Sequence, residues 1–361
     1  MTAPVAAPST GVIESQATAT AGLSAQAQVA VATYISQFAQ DEEAWYDTDA
    51  VTNLSVELAK LSDAFSVAAA RSADAFTADA IAHLSGKAYR PMGVRNTTGL
   101  AAERGIRTGV STAGVFGRAA DTYRYQQSLL DRQFIDDVKA GVENPTELAL
   151  PIDMAIQRAK RAAQLNTAVA ARNQAAATMK TAADRDLIIG YRRVLHAELS
   201  DEGSCGLCVA ASDRIFKTDH LMALHPGCHC LPVPVTRTKD PGHEINTADF
   251  ARLYGDAGGT SAAKLRQTRY KIDENGELGP LLRPLGEPIR TAKEARRDTN
   301  RVRRPKTPDE MAATLRRRRD ALEGALKLVP PQGMPSAWKA RTRDVEARIA
   351  HLDREIVKLA A

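Results

Sequence analysis

All four cysteines of the chain lie in one short window, CGLCVAASDRIFKTDHLMALHPGCHC, which covers residues 205–230. They form two close pairs, Cys205 with Cys208 and Cys228 with Cys230, and nineteen residues separate the pairs. Two such pairs on opposed turns are the arrangement with which proteins build one tetrahedral zinc site. The window therefore constrains the local fold, because both turns must face each other across a small sheet.

The spacing predicts a structural zinc ion that is held by four of five candidate ligands. These are Cys205, Cys208, His225, Cys228 and Cys230. The HPGC sequence from His225 to Cys228 repeats the two-residue gap of the first pair, and Cys230 points to the same side of a strand as Cys228. We favour the first three candidates with either Cys228 or Cys230, ahead of His220 and His229. The alternative is a group of buried small side chains, or a redox-labile cluster.

The residues on both sides of the window have the pattern of short strands. LIIGYRRVLHAEL, which begins at Leu187, mixes branched, aromatic and alternating residues in the manner of a strand. After the CGLC turn, DRIF is a second candidate strand, and the alternation and prolines of HPGCHCLPVPV indicate an edge strand. A full protein shell of ligands in such a sheet indicates a structural clamp, since a catalytic zinc ion needs an open position.

The first half of the chain is predicted to be helical after a mobile tail over residues 1–22, which are rich in Ala, Thr, Ser and Pro. A helical face recurs at three- and four-residue steps up to the Gly/Pro-containing stretch at 85–99. Its apolar residues are Val51, Leu54, Leu58, Leu61, Phe65, Phe76, Ile81 and Leu84. Further helices are predicted at about 100–139 and 152–183, the latter with an Ala-rich seam that permits close packing.

The last part of the chain has clear helix signals. DENGELG is the candidate turn of a β-hairpin. The sequence from Thr307 to Glu310 is a capping box with proline at the first helical position, and it predicts a helix to about Leu328. A final helix carries an apolar stripe in a/d-like register. The stripe comprises Trp338, Val345, Ile349, Leu352, Ile356 and Leu359.

These patterns predict an α+β fold that is mainly α-helical, with a helical N-terminal half, a small antiparallel sheet that carries the Cys/His cluster, and a C-terminal helical hairpin or coiled coil. Aromatic residues make up only 5% of the chain, which favours helices packed through small side chains. We predict a flexible tail at 1–22, a helical region at 23–150, a core with the Cys/His site at 151–240, a basic linker region at 241–306, and the hairpin at 307–361.

The net charge of +5 is concentrated in one segment. Residues 283–319 contain thirteen Lys/Arg and five Asp/Glu, a local charge of +8, so the rest of the chain sums to −3. This segment predicts nonspecific contact with DNA phosphates, whereas the alternative is a solvated linker and helix face. The arginines that we assign to DNA contact are Arg296, Arg297, Arg303 and Arg304. The clustered cysteines indicate a reducing compartment, and the N-terminus and hydropathy predict neither a signal peptide nor a membrane span.

The window resembles a known family. GYRRVLHAEL, then CGLCVAASDRIF, then HPGCHC is similar to the MuF-like (phage Mu F-like) minor head proteins of tailed bacteriophages, in the form seen in phages of actinobacteria. The hallmark H-x-x-C-x-C corresponds to His225, Cys228 and Cys230, and the C-x-x-C that commonly precedes it corresponds to Cys205 and Cys208. The specific similarity covers about residues 186–235, so the resemblance identifies 151–240 as a MuF-like core.

The resemblance implies a low-copy minor capsid protein inside the virion head, present in the host cytoplasm during assembly and acting in head morphogenesis. The implied partners are the portal protein and also the major capsid or scaffold protein and nonspecific DNA, without a membrane. The alternatives are a nonspecific DNA-binding protein and a capsid maturation protease, for which Ser204, His225 and Asp213 form a nominal triad and Cys205 with His225 a dyad. No nucleophile motif such as G-x-S-x-G supports a protease, so we expect no enzymatic activity.

Overall fold

The computed structural model of the chain describes residues 10–94, 111–142, 150–199, 206–218, 229–247, 270–275, 279–284, 307–329 and 336–360. The α-helices are α1 (Thr10–Phe38), α2 (Thr48–Ser85), α3 (Thr112–Ala140), α4 (Pro151–Ala183), α5 (Gly206–Ser212), α6 (Pro308–Leu326) and α7 (Ser336–Ala360). The strands are β1 (Gly190–Val194), β2 (Ile215–Phe216), β3 (Leu231–Val235), β4 (Tyr270–Asn275) and β5 (Gly279–Pro284). The predicted mainly α-helical α+β class is confirmed.

The chain divides into two compact units. Unit 1 comprises residues 1–35, 54–116 and 159–297, and unit 2 comprises residues 36–53, 117–158 and 298–361. The sheet of β1, β2 and β3 lies in unit 1, and helices α6 and α7 lie in unit 2. The division into five segments that we predicted from the sequence remains a prediction, except for the tail at 1–22.

Helix α1 shows that the predicted tail over 1–22 is wrong from Thr10 onward. Ile13 is fully buried in a cluster with Phe76 and the strand residue Val194, and Gln16 accepts a hydrogen bond of 2.9 Å from Ser72 Oγ. The buried residues of α1 are Ile13, Gln16, Ala17, Ser24, Ala27, Val31 and Ile35. Only three of these seven are large and apolar, so large apolar residues by themselves give a weak helical period here.

Helices α2 and α4 pack through small residues, as the Ala-rich seam predicted. Ala69 and Ala73 of α2 share one buried cluster with alanines of α4. Polar pairs cross the same seam. Asn166 Nδ2 donates to Ser62 Oγ at 3.0 Å, and Thr178 donates to the buried Asp74 at 2.5 Å. These bonds satisfy buried polar groups that would otherwise destabilise the helix pair.

The predicted sheet around the cysteine window is present as an antiparallel sheet with strand order β2-β1-β3. Strand β3 is an edge strand, as its prolines predicted. Pro232 and Pro234 are two residues apart, so their missing N–H groups lie on one side of the strand. One local prediction is wrong, because the supposed CGLC turn is helical from Gly206, at the start of α5. Residues 241–247, which follow β3, are also helical.

Replacing Gly190 by alanine is expected to separate β2 from β1. A Cβ atom on Gly190 would lie 2.4 Å from the backbone oxygen of Phe216 and 2.9 Å from Cγ2 of Ile215. Backbone cannot rotate away as a side chain can, so overpacking is expected to lower the free energy of unfolding by about 1–3 kcal/mol. Hydrogen exchange of the Tyr191 and Phe216 amides measures the effect. The control is Gly324→Ala on α6, where a Cβ would meet no atom within 4 Å. Unchanged protection in Gly190→Ala would contradict the prediction.

The predicted β-hairpin is confirmed by the pairing of β4 with β5. The register runs from Tyr270 opposite Pro284 to Asn275 opposite Gly279. The two strands form a separate two-stranded sheet.

In unit 2 the C-terminal helices form the predicted hairpin. Thr307 makes both hydrogen bonds of a capping box with Glu310, and Pro308 is the first helical residue. Helix α6 packs on α7, and Phe134 of α3 joins their buried cluster. The other buried members of this cluster are Leu322, Ala325, Trp338, Val345 and Leu352. The apolar stripe of α7 is therefore covered largely by α6 and α3.

Candidate metal sites

Of the five predicted zinc ligands, two lie in the part of the chain that the structure describes. Cys208 lies on α5 and Cys230 directly precedes β3, and both are buried. Cys205, His225 and Cys228 lie outside the described residues. The same is true of the predicted DNA contacts, Arg296, Arg297, Arg303 and Arg304. Two buried thiols of the cluster thus flank the small sheet.

Two buried guanidinium groups contact the sulfur of Cys230. Arg193 Nη1 lies 3.6 Å from Sγ and Arg172 Nη2 lies 3.7 Å from it. Arg172 also donates to the carbonyl oxygen of Cys230 through Nε at 3.2 Å and Nη2 at 2.9 Å, which fixes the position of this residue. Two nearby cations stabilise negative charge on a sulfur atom. Two guanidinium groups therefore give the sulfur of Cys230 an electropositive environment, and the thiolate is the form in which cysteine binds a metal.

A third arginine ties the elements around the window together. Arg192 forms a bidentate pair with Asp240, with Nε 3.0 Å from both oxygens and Nη2 2.7 Å from Oδ2. Its Nη1 donates to the carbonyl oxygen of Ser212 at the end of α5, at 3.1 Å. Asn246 donates to the carbonyl oxygen of Arg193 at 2.7 Å. This network holds β1, α5 and the segment after β3 in place.

His196 is a polar residue near this sheet that the sequence reasoning left without a role. It is buried two residues after the end of β1, and its Nδ1 lies 2.9 Å from Oε1 of Glu198. Its Nε2 is also buried and has no hydrogen-bond partner within the described residues. A carboxylate on one ring nitrogen and a free second nitrogen is the arrangement of many metal-binding histidines. The pattern His-x-Glu at 196–198 was the only sequence signal for it.

Unit 2 contains a second cluster that the sequence did not indicate. Glu43, His351 and Glu355 each offer one ligand atom, and these atoms lie within 4.8 Å of one another. Among the described residues this is the only group of three His, Cys, Asp or Glu ligands that is so close. Cys208 and Cys230 belong to no such group within those residues. The geometry of the Glu43 group allows a metal ion to be held.

Glu43 also has two cationic neighbours on α7. Arg354 Nε lies 3.1 Å from its Oε1, and Lys358 Nζ contacts its Oε2. The hydrogen bonds from Lys358 and then from Arg354 lower the pKa of Glu43 from 4.5 to about 2. A carboxylate with a lowered folded-state pKa stabilises the fold at neutral pH, and this contribution is lost as the pH falls from about 4.5 through about 2.

Two arginines of the basic segment 283–319 form ion pairs within unit 2. Arg318 pairs with Asp131, and Arg319 Nη1 lies 3.0 Å from Oδ1 of Asp353. Burial acts to lower the pKa of Arg318, but Asp131 and Tyr46 raise it more, so its net shift is upward. Within the basic segment 283–319, the guanidinium groups of Arg318 and Arg319 are thus paired with acidic residues of unit 2.

Comparison of this chain with protein-family models, curated proteins and solved structures gave no match. The resemblance of the Cys/His window to MuF-like proteins therefore remains a prediction. Within the described ranges, no helix combines the length and the apolar character that crossing a membrane requires.

Proposed function

We propose that the chain is a MuF-like minor head protein of a tailed bacteriophage, and that a zinc ion clamps its Cys/His region. In this proposal zinc is structural, and its ligands come from Cys205, Cys208, His225, Cys228 and Cys230. The chain acts in the head interior during morphogenesis, at the portal vertex. Its partners are the portal protein, with the major capsid or scaffold protein and packaged DNA as further contacts.

The observation that carries the zinc proposal is the environment of Cys230. Its thiol is buried and is contacted at sulfur by Arg172 and Arg193. Donors to a ligating sulfur orient it and tune its charge in metal sites. The spacing of the candidate ligands left Cys228 and Cys230 as alternatives, and this environment favours Cys230.

The zinc proposal is tested by metal analysis of the full chain, purified without chelator under reducing conditions. We expect Cys208→Ser and Cys230→Ser each to lower the bound zinc by close to one ion per chain. Because structural zinc binding is coupled to folding, both variants should also expose the β1 and β3 amides to hydrogen exchange. The quantity to compare is the difference in zinc per chain between the parent and each variant. The total zinc content is not sufficient, because the Glu43 group could hold a further ion.

The matched control is Val209→Ala, which truncates the buried neighbour of Cys208 on α5. This variant should lose packing but keep its zinc. Equal zinc content in the parent and in both cysteine variants would refute the clamp. Parallel loss in Val209→Ala would mean that the metal responds to general unfolding, and it would also remove the support for direct ligation.

The role in the head is tested in phage particles that carry the intact gene. Chemical cross-linking and mass spectrometry of purified heads should recover this chain at low copy number, joined to the portal protein. The same measurement on heads with Cys208→Ser should show reduced incorporation, because the clamped region would be unfolded. Heads that assemble with a normal portal and without this chain would contradict the proposed role.

A further inference from the structure

We propose that Glu43, His351 and Glu355 bind a divalent first-row transition-metal ion, at a site that is distinct from the predicted zinc clamp. The three residues supply one imidazole nitrogen and two carboxylate oxygens, all within 4.8 Å of one another. Three such ligands can surround one ion at the usual coordination distances of about 2.0–2.2 Å. The site lies wholly in unit 2 and contains no cysteine.

His351 gives the independent indication of a ligand. Its side chain is 7% exposed, and its Nδ1 lies 3.7 Å from Oε1 of Glu43, which is too far for a hydrogen bond. This buried nitrogen has no hydrogen-bond partner among the described residues. A buried polar atom without a partner is costly, and a bound ion would satisfy it.

The local fold fixes the ligands in place. His351 and Glu355 are four residues apart on α7, so both side chains lie on one face of the helix. Glu43 begins the short 3-10 helix Glu43–Trp45. Trp45 anchors that turn, because it is fully buried and its ring stacks on Tyr123 at 4.3 Å between centroids. Binding would link this turn to α7.

Arg354 and Lys358 contact the carboxylate of Glu43, and Lys358 Nζ also lies 3.0 Å from Oε1 of Glu355. Their side chains are 60% and 59% exposed, so both can turn into solvent without breaking a packed core. A divalent ion would replace these two contacts with bonds to the same oxygens. The cations therefore compete with the metal, and removing one of them should strengthen metal binding.

The ligand chemistry separates this site from a cysteine site. Imidazole suits Zn²⁺, Fe²⁺ and Ni²⁺, and carboxylates suit Mn²⁺ and Mg²⁺, so the mixed set accepts Mn²⁺. Thiolates prefer softer ions such as Zn²⁺. Mn²⁺ is therefore a probe that reports on the Glu43 group and not on the cysteine window.

The experiment titrates Mn²⁺ into the full reduced chain and follows the free-ion signal by electron paramagnetic resonance. We expect one Mn²⁺ per chain in the parent, and binding weakened at least about tenfold in His351→Gln and Glu355→Gln. Lys358→Gln should bind Mn²⁺ more tightly than the parent. Tryptophan fluorescence of each variant checks that unit 2 is folded.

The controls are His83→Gln and Asp344→Asn. His83 lies four residues after Asp79 on α2 and pairs with it, and Asp344 is an exposed acidic residue on α7. Both controls should bind Mn²⁺ as the parent does. The proposal is overturned if the parent binds no Mn²⁺, if folded His351→Gln binds it equally well, or if Lys358→Gln shows no gain.

Discussion

Asp240→Ala is expected to be among the most destabilising single changes in unit 1, with a loss of about 3–5 kcal/mol in the free energy of unfolding. The side chain of Arg192 is only 8% exposed, and Asp240 is its bidentate partner. Removing the carboxylate leaves a buried guanidinium without its counter-charge. The loss should spread to α5, because Arg192 also holds the carbonyl oxygen of Ser212.

Hydrogen exchange with mass spectrometry measures this effect, since both tryptophans, Trp45 and Trp338, lie in unit 2. Arg237→Ala is the matched control, because it breaks a 3.0 Å pair with Asp186 in which both side chains are more than 70% exposed. Such a pair contributes about 0–1 kcal/mol.

Asp240→Asn distinguishes the loss of the ion pair from the loss of the hydrogen bond to the His243 amide. The asparagine amide oxygen can still accept that hydrogen bond, which Oδ1 of Asp240 accepts at 3.0 Å. Equal protection in Asp240→Ala and Arg237→Ala would contradict the prediction.

The second large effect is expected for Asp131→Ala in unit 2, again about 3–5 kcal/mol. The Asp131 side chain is 7% exposed and faces two arginines. Arg318 Nε donates to Oδ2, and Arg348 Nε lies 3.0 Å from Oδ1 as an ion-pair contact without hydrogen-bond geometry. Truncation would leave two largely buried cations facing each other across an empty site.

Tryptophan fluorescence during urea unfolding measures this loss, because Trp45 and Trp338 both belong to unit 2. The control is Asp121→Ala on the same helix, where the partner Arg124 lies 3.2 Å away and the carboxylate side chain is 72% exposed. We expect its midpoint to stay close to that of the parent. If Asp131→Ala unfolds at the same urea concentration as Asp121→Ala, the buried cluster does not stabilise unit 2.

Local signals predicted most of the secondary structure. The capping box at Thr307 to Glu310, the strand pattern around Tyr191 and the edge prolines of β3 all correspond to elements of the structure. Each of these signals acts within a few residues, through caps, side-chain alternation or a missing N–H group. Such effects can be recognised without knowing the tertiary fold.

Helix α1 and the CGLC segment show where local signals fail. Thr10–Phe38 was partly assigned to a tail because Ala, Ser and Thr carry little apolar signal. Ala17, Ser24 and Ala27 are nevertheless buried in α1, since small side chains allow close packing against neighbouring elements. The helix of Gly206–Ser212 likewise depends on its packing against β1 and on the Arg192 bond to Ser212.

The sequence by itself determined the helix pattern, the place of the small sheet and the clustering of cysteine and histidine, because these depend on periodicity and short spacing. Only the tertiary structure decided that Arg172 and Arg193 contact the sulfur of Cys230, and that Glu43 faces His351 and Glu355. The reason is physical: these contacts join residues that are far apart in sequence, and charge and coordination depend on distances in space that only the packing of the helices sets.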